Sequence, residues 1–285
     1  MLLSSFLVAK DLIRNNKYRV LYERLVGSKP MLKGDSVQCA CCGYSFDSFF
    51  TYKAERKVAL YASNIKIQKL LKVLLPHLNK PVYKLENEVC PVCFSLGQHR
   101  HLFYYINELS AEYTCEASDV KLLHFAPEQF MKDFFLSNKN IHYYDCDLFR
   151  RDTLYIENIT KLSFQDNFFD IIICSHVLEH IIDDITAMRE LLRVLKPNGV
   201  AFLMVPCNVD NTIEDPQVNT AQRRLAAYKQ TDHVREYSSD DFINRLSKVG
   251  FTVNTSCVDR INTNIVNKLR LRDSIFICRK NGSRI

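Results

Sequence analysis

Residues 169–206, FDIIICSHVLEHIIDDITAMRELLRVLKPNGVAFLMVP, constrain the fold more than any other stretch of this chain. Phe169–Cys174 is short, apolar and rich in β-branched residues, which suits a strand buried on both faces of a parallel sheet. A polar cluster, Ser175-His176 and then Glu179-His180, stands where such a strand would end. Asp183 or Asp184 is placed to cap a helix whose apolar positions Ile185, Met188, Leu191, Leu192 and Leu195 recur at helical spacing. Lys196-Pro197-Asn198-Gly199 is expected to stop that helix, and Val200–Val205 to form a second buried strand. Strand, crossover helix and strand make a right-handed βαβ unit, whose ligands bind beyond the carboxyl ends of its strands. Ser175–His180 and Pro206–Asn208 are therefore expected to line one crevice.

The alternation begins earlier in the chain. Val120–Phe125 reads as a strand, Glu128–Leu136 as a helix, Ile141–Cys146 as a strand and Leu154–Glu157 as a short one. Residues 207–237 form a long polar insertion. Asp240 or Asp241 then caps a helix to Val249, ahead of a strand from Phe251 to about Val258 and a last strand over Ser274–Cys278. Before the alternation, residues 1–27 and Gly97–Leu109 read as helices, and Lys66, Lys69 and Lys72 share one face of another. The expected organisation is a helical, cysteine-bearing module over residues 1–110 and an α/β domain over 111–285, with 207–237 as a lid over the substrate.

The 285 residues are 47% apolar, enough for a full core, and no window reaches the ~18 uncharged apolar residues of a membrane span. Met1–Ala9 has no basic segment before it and is broken by Lys10 and Asp11, so a secretory signal is not expected. Eleven cysteines in such a chain point to reduced thiols and a metal site in the cytoplasm, not to a disulfide framework. Residues 1–110 carry 16 Lys and Arg against 8 Asp and Glu, whereas 111–285 carry 22 against 24. The basic front half suits either phosphates or plain solvation.

Cys39-x2-Cys42 and Cys90-x2-Cys93 are two knuckle-forming pairs that together supply four thiolates to a tetrahedral zinc ion. Cys41 is an alternative to Cys39 as ligand. With all four positions filled, such a zinc is structural, and it stabilises a segment that has little core of its own. The cysteines of the alternating region, such as Cys146, Cys174 and Cys278, read as small core residues.

The run FDIIICSHVLEHI followed by RELLRVLKPNGVAFLMVP resembles the second half of a class I S-adenosylmethionine-dependent methyltransferase (methyltransferase type 11-like). A subgroup of that family couples a CxxC…CPxCxSxxRHR element to a strand-end turn LHxAPE and later shows T-x-E-D and D-H-V-R-x-Y. This chain reads Cys90-Pro91-Val92-Cys93-Phe94-Ser95-Leu96-Gly97-Gln98-His99-Arg100, then Leu123–Glu128, Thr212-Ile213-Glu214-Asp215 and Asp232-His233-Val234-Arg235-Glu236-Tyr237. The resemblance implies an α/β fold: a Rossmann-like seven-stranded methyltransferase sheet, strand 7 antiparallel, helices on both faces, and an N-terminal helical and zinc-ribbon module. It implies S-adenosyl-L-methionine as cofactor and a place among proteins of surface-polysaccharide or secondary-metabolite clusters. Where the family has an acid and a glycine-rich turn, this chain has His124 and the glycine-free Ala126-Pro127-Glu128.

Carried over position by position, His124, Ala126, Pro127, Glu128, Ser175 and His176 flank the methionine part of the cofactor. Asp147, or Asp145 in its place, binds the ribose hydroxyls, and Asn158 and Ile159 meet the adenine. Methyl transfer to oxygen needs an aligned nucleophile and a base. His176 is the first choice of base, with His233 and Asp232 in the insertion as further candidates. His180, Glu214, Arg235 and Tyr237 are the expected substrate contacts. For His176 and His180 a loop-packing role, and for His233 and Arg235 a buried ion pair, are equally open. The expected acceptor is a small molecule or saccharide. An RNA acceptor gripped by the basic zinc module is a second reading, and a non-catalytic methyltransferase-like scaffold a third.

Overall fold

The structure, a computed structural model, describes residues 34–53, 84–113, 119–149 and 153–281. The helices expected over 1–27 and around Lys66–Lys72 lie outside these residues. The sheet is built as the apolar runs require. Its strands are β5 (Val120–Phe125), β6 (Ile141–Asp147), β7 (Tyr155–Ile156), β8 (Phe169–Ser175), β9 (Leu195–Met204), β10 (Phe251–Ser256) and β11 (Ile275–Lys280). Their order is β10-β11-β9-β8-β5-β6-β7, with β5, β6, β7, β8 and β9 parallel and β11 inserted antiparallel between β9 and β10. This is the Rossmann-like methyltransferase sheet expected from the sequence.

Alternation in β8 divides the core in two. Ile171 and Ile173 join Leu122, Val200, Phe202 and Met204 on one face, while Ile172 and Cys174 join Leu123, Ala201 and Leu203 on the other. The second face is covered by α3 (Asp184–Val194) and α5 (Ser239–Val249). The first is covered by α1 (Gly97–Tyr113), α2 (Gln129–Leu136) and the cysteine-bearing segment, whose Val37, Phe46 and Phe49 share its cluster. Phe103 meets Phe134 edge-on at 4.7 Å, and Tyr105 meets Phe202 at 6.1 Å. Two small antiparallel pairs, β1 (Val37–Gln38) with β2 (Ser45–Phe46) and β3 (Phe50–Lys53) with β4 (Lys84–Val89), frame the cysteines. The remaining helices are α4 (Ala221–Tyr228) in the insertion and α6 (Thr263–Leu269).

Two local expectations are corrected. The helix after Asp183 does end at Val194, but Lys196–Gly199 does not cap it; β9 starts at once at Leu195. The four residues form a bulge, because the register with β8 jumps from Phe169↔Leu195 to Ile171↔Val200. Lys196 Nζ pins the bulge to the Asp170 carboxylate at 2.8 Å. A Cβ on Gly199 would stand 2.9 Å from the Asp170 carbonyl and 2.7 Å from Leu195 Cδ1, so only glycine fits this crossing. Second, Ser238, not Asp240 or Asp241, caps α5, its hydroxyl accepting from Asp241 N–H at 3.3 Å. A further helix, α6, lies in the tail between β10 and β11.

The Gly199 contact generates a test. Gly199→Ala is expected to cost about 1–3 kcal/mol, since backbone has to shift to admit the methyl group. Urea unfolding measures it; an unchanged midpoint would show that the bulge relaxes freely.

Candidate functional site

The two cysteine knuckles repeat one backbone design. Gly43 N–H donates to Cys39 O at 2.8 Å and Cys39 N–H to Tyr44 O at 2.9 Å; Phe94 N–H and Cys90 N–H repeat the pattern on Cys90 O and Ser95 O, each at 3.0 Å. The fifth residue of each knuckle is left-handed, Gly43 at φ 72° and Phe94 at φ 60°. This curl aims both sulfurs of a pair at one point. Cys39, Cys42, Cys90 and Cys93 are buried free thiols whose sulfurs all lie within 4.8 Å of one another, and Cys41 falls outside that set. Cys39–Cys93 and Cys42–Cys90 are each 3.6 Å apart. Four sulfurs at about 2.3 Å from a tetrahedral centre stand about 3.8 Å apart, so the cluster has the size and donor set for zinc. Ser95 Oγ sits 3.2 Å from Cys39 Sγ and 3.3 Å from Cys93 Sγ, an outer-shell hydroxyl that holds both sulfurs. Burial pushes the Cys42 thiol well above its ordinary range, and the neighbouring sulfurs add to the effect; a divalent cation among them reverses it.

The cofactor turn follows β5. His124 is fully buried, with Nδ1 3.0 Å from Tyr143 Oη. Ala126, where the family has glycine, adopts φ 49° and donates its N–H to Cys146 O at 2.9 Å. The left-handed geometry of the turn is therefore kept without glycine, at a cost of about 1–2 kcal/mol. Glu128 stands at the head of α2, and its Oε1 lies 3.0 Å from Nε2 of His99, a residue of α1. Burial works against ionised Glu128, but the charge and hydrogen bond of His99, with His124 behind, outweigh it and hold the carboxyl at about 2.

At the end of β6 the two candidate acids separate. Asp145 is fully buried, paired with Lys132 and accepting from Leu154 N–H at 3.1 Å, so it fastens α2 and the approach to β7. Asp147 is half-buried at the strand end, where its Oδ1 accepts from Phe149 N–H at 2.7 Å. Asn158 Oδ1 closes a tight turn on Thr160 N–H at 3.0 Å, and Ile159 is buried beneath. Among the described residues, Ser175 Oγ, Glu128 Oε2 and Glu179 Oε2 are buried with no hydrogen-bond partner. They stand at the ends of β5 and β8, where an amino-acid-like cofactor with N–H and ammonium donors would satisfy them. The residues present fit S-adenosylmethionine.

Beyond the end of β8 opens a cavity of about 490 Å³, lined among others by His176, Glu179, His180, Asp232 and His233. His176, at φ 54°, places Nδ1 3.3 Å from Glu179 Oε1 and Nε2 3.8 Å from Asp273 Oδ2. Burial disfavours the charged His176 ring, and Glu179 more than compensates, so its pKa lies above the usual imidazole value; burial holds His233 below it. Gln98 of α1, Arg272 and Asp273 complete the wall, and none of the three was singled out from the sequence. Gln98 and His99 lie in the second cysteine signature, but only the fold shows that they reach the cavity and the cofactor turn.

Glu214, Arg235 and Tyr237 sit behind the wall. Arg235 is 1% exposed, and its guanidinium donates to the carbonyls of Leu178, Ile181 and Ile182 and to Glu214 Oε1. Tyr237 Oη donates to Asp184 Oδ2 at 2.7 Å, and Arg245 bridges Asp184 and Glu214 at 2.9 Å each. This network ties the insertion to the loop after β8 and leaves these three residues no face toward the cavity.

The methyltransferase-domain family matches residues 74–256, well over half of the chain, and the chain belongs to that family. YafE of Escherichia coli (strain K12) is 30% identical over 101 residues, 35% of this chain and 47% of YafE. YcgJ of Bacillus subtilis (strain 168), an uncharacterized methyltransferase, is 37% identical over 82 residues, 29% of this chain and 31% of YcgJ. The chain thus spans less than half the length of these curated relatives. Among solved structures, YcgJ aligns with 63% of this chain and all of its own at 15% identity and a TM-score of 0.40. The [4+2]-cyclase SpnF aligns with 64% of this chain and 82% of its own, at 16% identity and a TM-score of 0.42. Strand order and family together define an S-adenosylmethionine-dependent methyltransferase fold.

The Glu128 contact has a pH signature. Its folded pKa of about 2 lies below the ordinary 4.5, so the stability it contributes, about 3 kcal/mol at most, is complete above about pH 4.5 and is lost as pH falls toward 2. The gap in unfolding free energy between the wild type and Glu128→Gln is expected to close across that window. A gap that stays constant would remove the ion pair with His99.

Proposed function

We propose that this protein methylates a small molecule or a saccharide precursor with S-adenosylmethionine, and that a zinc ion on Cys39, Cys42, Cys90 and Cys93 holds α1 against the cofactor turn. The observations that carry this reading are the unpartnered polar atoms at the ends of β5 and β8 and a cavity of about 490 Å³ lined by one of their residues, Glu179. That volume lies within the range of small-ligand sites, roughly 300–1,000 Å³. Its lining holds only Lys229 and Arg272 as cationic residues, which suits a compact polar acceptor better than an RNA backbone.

In this reading Asp147 accepts from the ribose hydroxyls, Asn158 and Ile159 border the base, and Glu128, Ser175 and the Ala126 turn border the amino-acid end. When bound, S-adenosylmethionine supplies an electrophilic methyl group on a sulfonium. The residues of the cavity align the acceptor and take its proton. His176 is the base: Glu179 orients Nδ1, and Nε2 is buried without a hydrogen-bond partner. His180, Asp232 and His233 line the cavity with it. Buried reduced thiols suit a reducing compartment such as the cytoplasm. Among the described residues no helix is long and apolar enough to cross a membrane.

Calorimetric titration of S-adenosylhomocysteine into zinc-replete protein tests the reading. One-to-one binding is expected, weakened by about 1.5–3 kcal/mol in Asp147→Ala. No heat and no thermal shift would favour the non-catalytic scaffold, and binding unaffected by Asp147→Ala would move the ribose contact elsewhere.

Elemental analysis checks the zinc. Cys90→Ser is expected to lose one zinc per chain and to melt earlier, because a metal-bound knuckle exists only in the folded state. A stoichiometric, fully stable variant would remove Cys90 from the ligand set.

A further inference from the structure

Glu179 and His180 of the loop after β8 and His233 of the insertion bring together a second group of side chains with metal-ligating atoms, distinct from the cysteines. One ligand atom each of Glu179, His180 and His233 lies within 4.8 Å of the others. Glu179 is 1% exposed, and its Oε2 has no hydrogen-bond partner among the described residues. His180 and His233 meet edge to face, ring centroids 4.7 Å apart. The position of the protons is decided by a carbonyl. His180 Nδ1 lies 3.3 Å from Asp232 O, which only accepts, so Nδ1 carries a hydrogen and Nε2 is the ring atom left for a metal, with its lone pair bare in the neutral ring. That lone pair faces Glu179 Oε1 at 4.0 Å. Buried Glu179 thus keeps Oε2 without a donor, and its carboxylate faces the Nε2 lone pair of partly exposed His180. This costs free energy unless a cation stands between them. A ring nitrogen bonded to backbone while its partner faces a carboxylate is also the usual outer-shell arrangement of a ligating histidine, and Asp232 Oδ2, 3.8 Å from Nδ1, reinforces it.

We propose that Glu179, His180 and His233 bind a divalent cation at the mouth of the acceptor cavity. Two imidazoles and one carboxylate suit zinc, cobalt, manganese or iron, and they leave positions open for an incoming ligand. Ligand atoms at about 2.1 Å from such an ion stand about 3.4 Å apart, so the three side chains draw in by roughly an ångström on loading. All three side chains line the cavity that holds His176. Resting on the methyltransferase reading, the site takes an acceptor with an ionisable oxygen. That oxygen coordinates the cation, gives its proton to His176 Nε2 and attacks the methyl carbon. The carbon–sulfur bond breaks with its electron pair passing to sulfur. His233 is then a metal ligand and not a second base, and His176 is left as the one proton acceptor.

Co²⁺ titrated into protein that carries one zinc per chain, held by the cysteines and freed of excess zinc, and followed by visible absorption, tests the proposal. The expected result is weak d–d absorption saturating at one Co²⁺ per chain, without the intense thiolate charge-transfer bands that displacement at the cysteine cluster would produce. Glu179→Gln, His180→Gln and His233→Gln should each weaken binding at least tenfold, while Gln230→Ala, on the same wall, should not. His180 is half-exposed, so its variant keeps the test open if substitution of buried Glu179 impairs folding. Absence of saturable binding, or equal binding in all three variants, would overturn the proposal. S-adenosylhomocysteine is titrated into the same samples. Cofactor binding without cobalt sinks the metal site and leaves the methyltransferase reading standing; cobalt without cofactor does the reverse.

Discussion

A single buried guanidinium joins the two halves of the site. Arg100, fully buried in α1, donates to the carbonyls of Glu88 and Ser95 on the cysteine side and to those of Leu269 and Arg270 beyond α6. The Phe49 ring covers it at 4.3 Å, and the Glu88 carboxylate stands 3.8 Å away. A buried charge is tolerable only when its donors are spent, and here four carbonyls from two separated stretches of chain spend them. His101, one residue on, repeats the tie through Arg272 O at 3.2 Å and Asp273 O at 2.9 Å. Two residues earlier, this same anchoring sets Gln98 on the cavity wall and His99 against Glu128. The cysteine cluster therefore acts on the site through the first turn of α1, without contributing a ligand to it.

The parts of this architecture that were legible in the sequence are those fixed by local pattern. The continuous apolar run of Phe169–Ser175, buried on both faces, and the helical periodicity of Asp184–Val194 are properties of a few consecutive residues, so the βαβ unit was readable from them, while the order of the whole sheet was implied by the family resemblance. The two CxxC pairs were legible for the same reason, since each knuckle closes on itself. What was not legible depends on contacts between distant residues. Lys196–Gly199 has the composition of a helix stop, yet the Asp170 carboxylate and carbonyl, 26 residues or more away in sequence, convert it into a bulge. Arg235 sits in a motif that suggests an anion contact, but the carbonyls of Leu178, Ile181 and Ile182 already occupy it. Asp145 and Asp147 are indistinguishable by pattern, and only the pairing with Lys132 separates them.

The left-handed residues mark where the backbone has been bent to make room. His176, Lys229 and Asp273 line the cavity at φ 54°, 62° and 60°, and Ala126 beside the cofactor turn has φ 49°. None is glycine, so each carries strain of about 1–3 kcal/mol that the surrounding hydrogen bonds sustain. His176 N–H is held by Met204 O at 2.9 Å, and Ala126 N–H by Cys146 O at the same distance. In both places the residue just past a buried strand is turned onto the neighbouring strand's end. The turn exposes a side chain, or a Cβ-bearing backbone, to the crevice rather than letting the strand run on. Glycine would adopt these angles more cheaply. At position 176, however, it would supply no imidazole to pair with Glu179, so there the strain and the chemistry are inseparable. At position 126 the methyl group brings no chemistry, and Cys146 O and the His99–Glu128 contact hold the turn on either side.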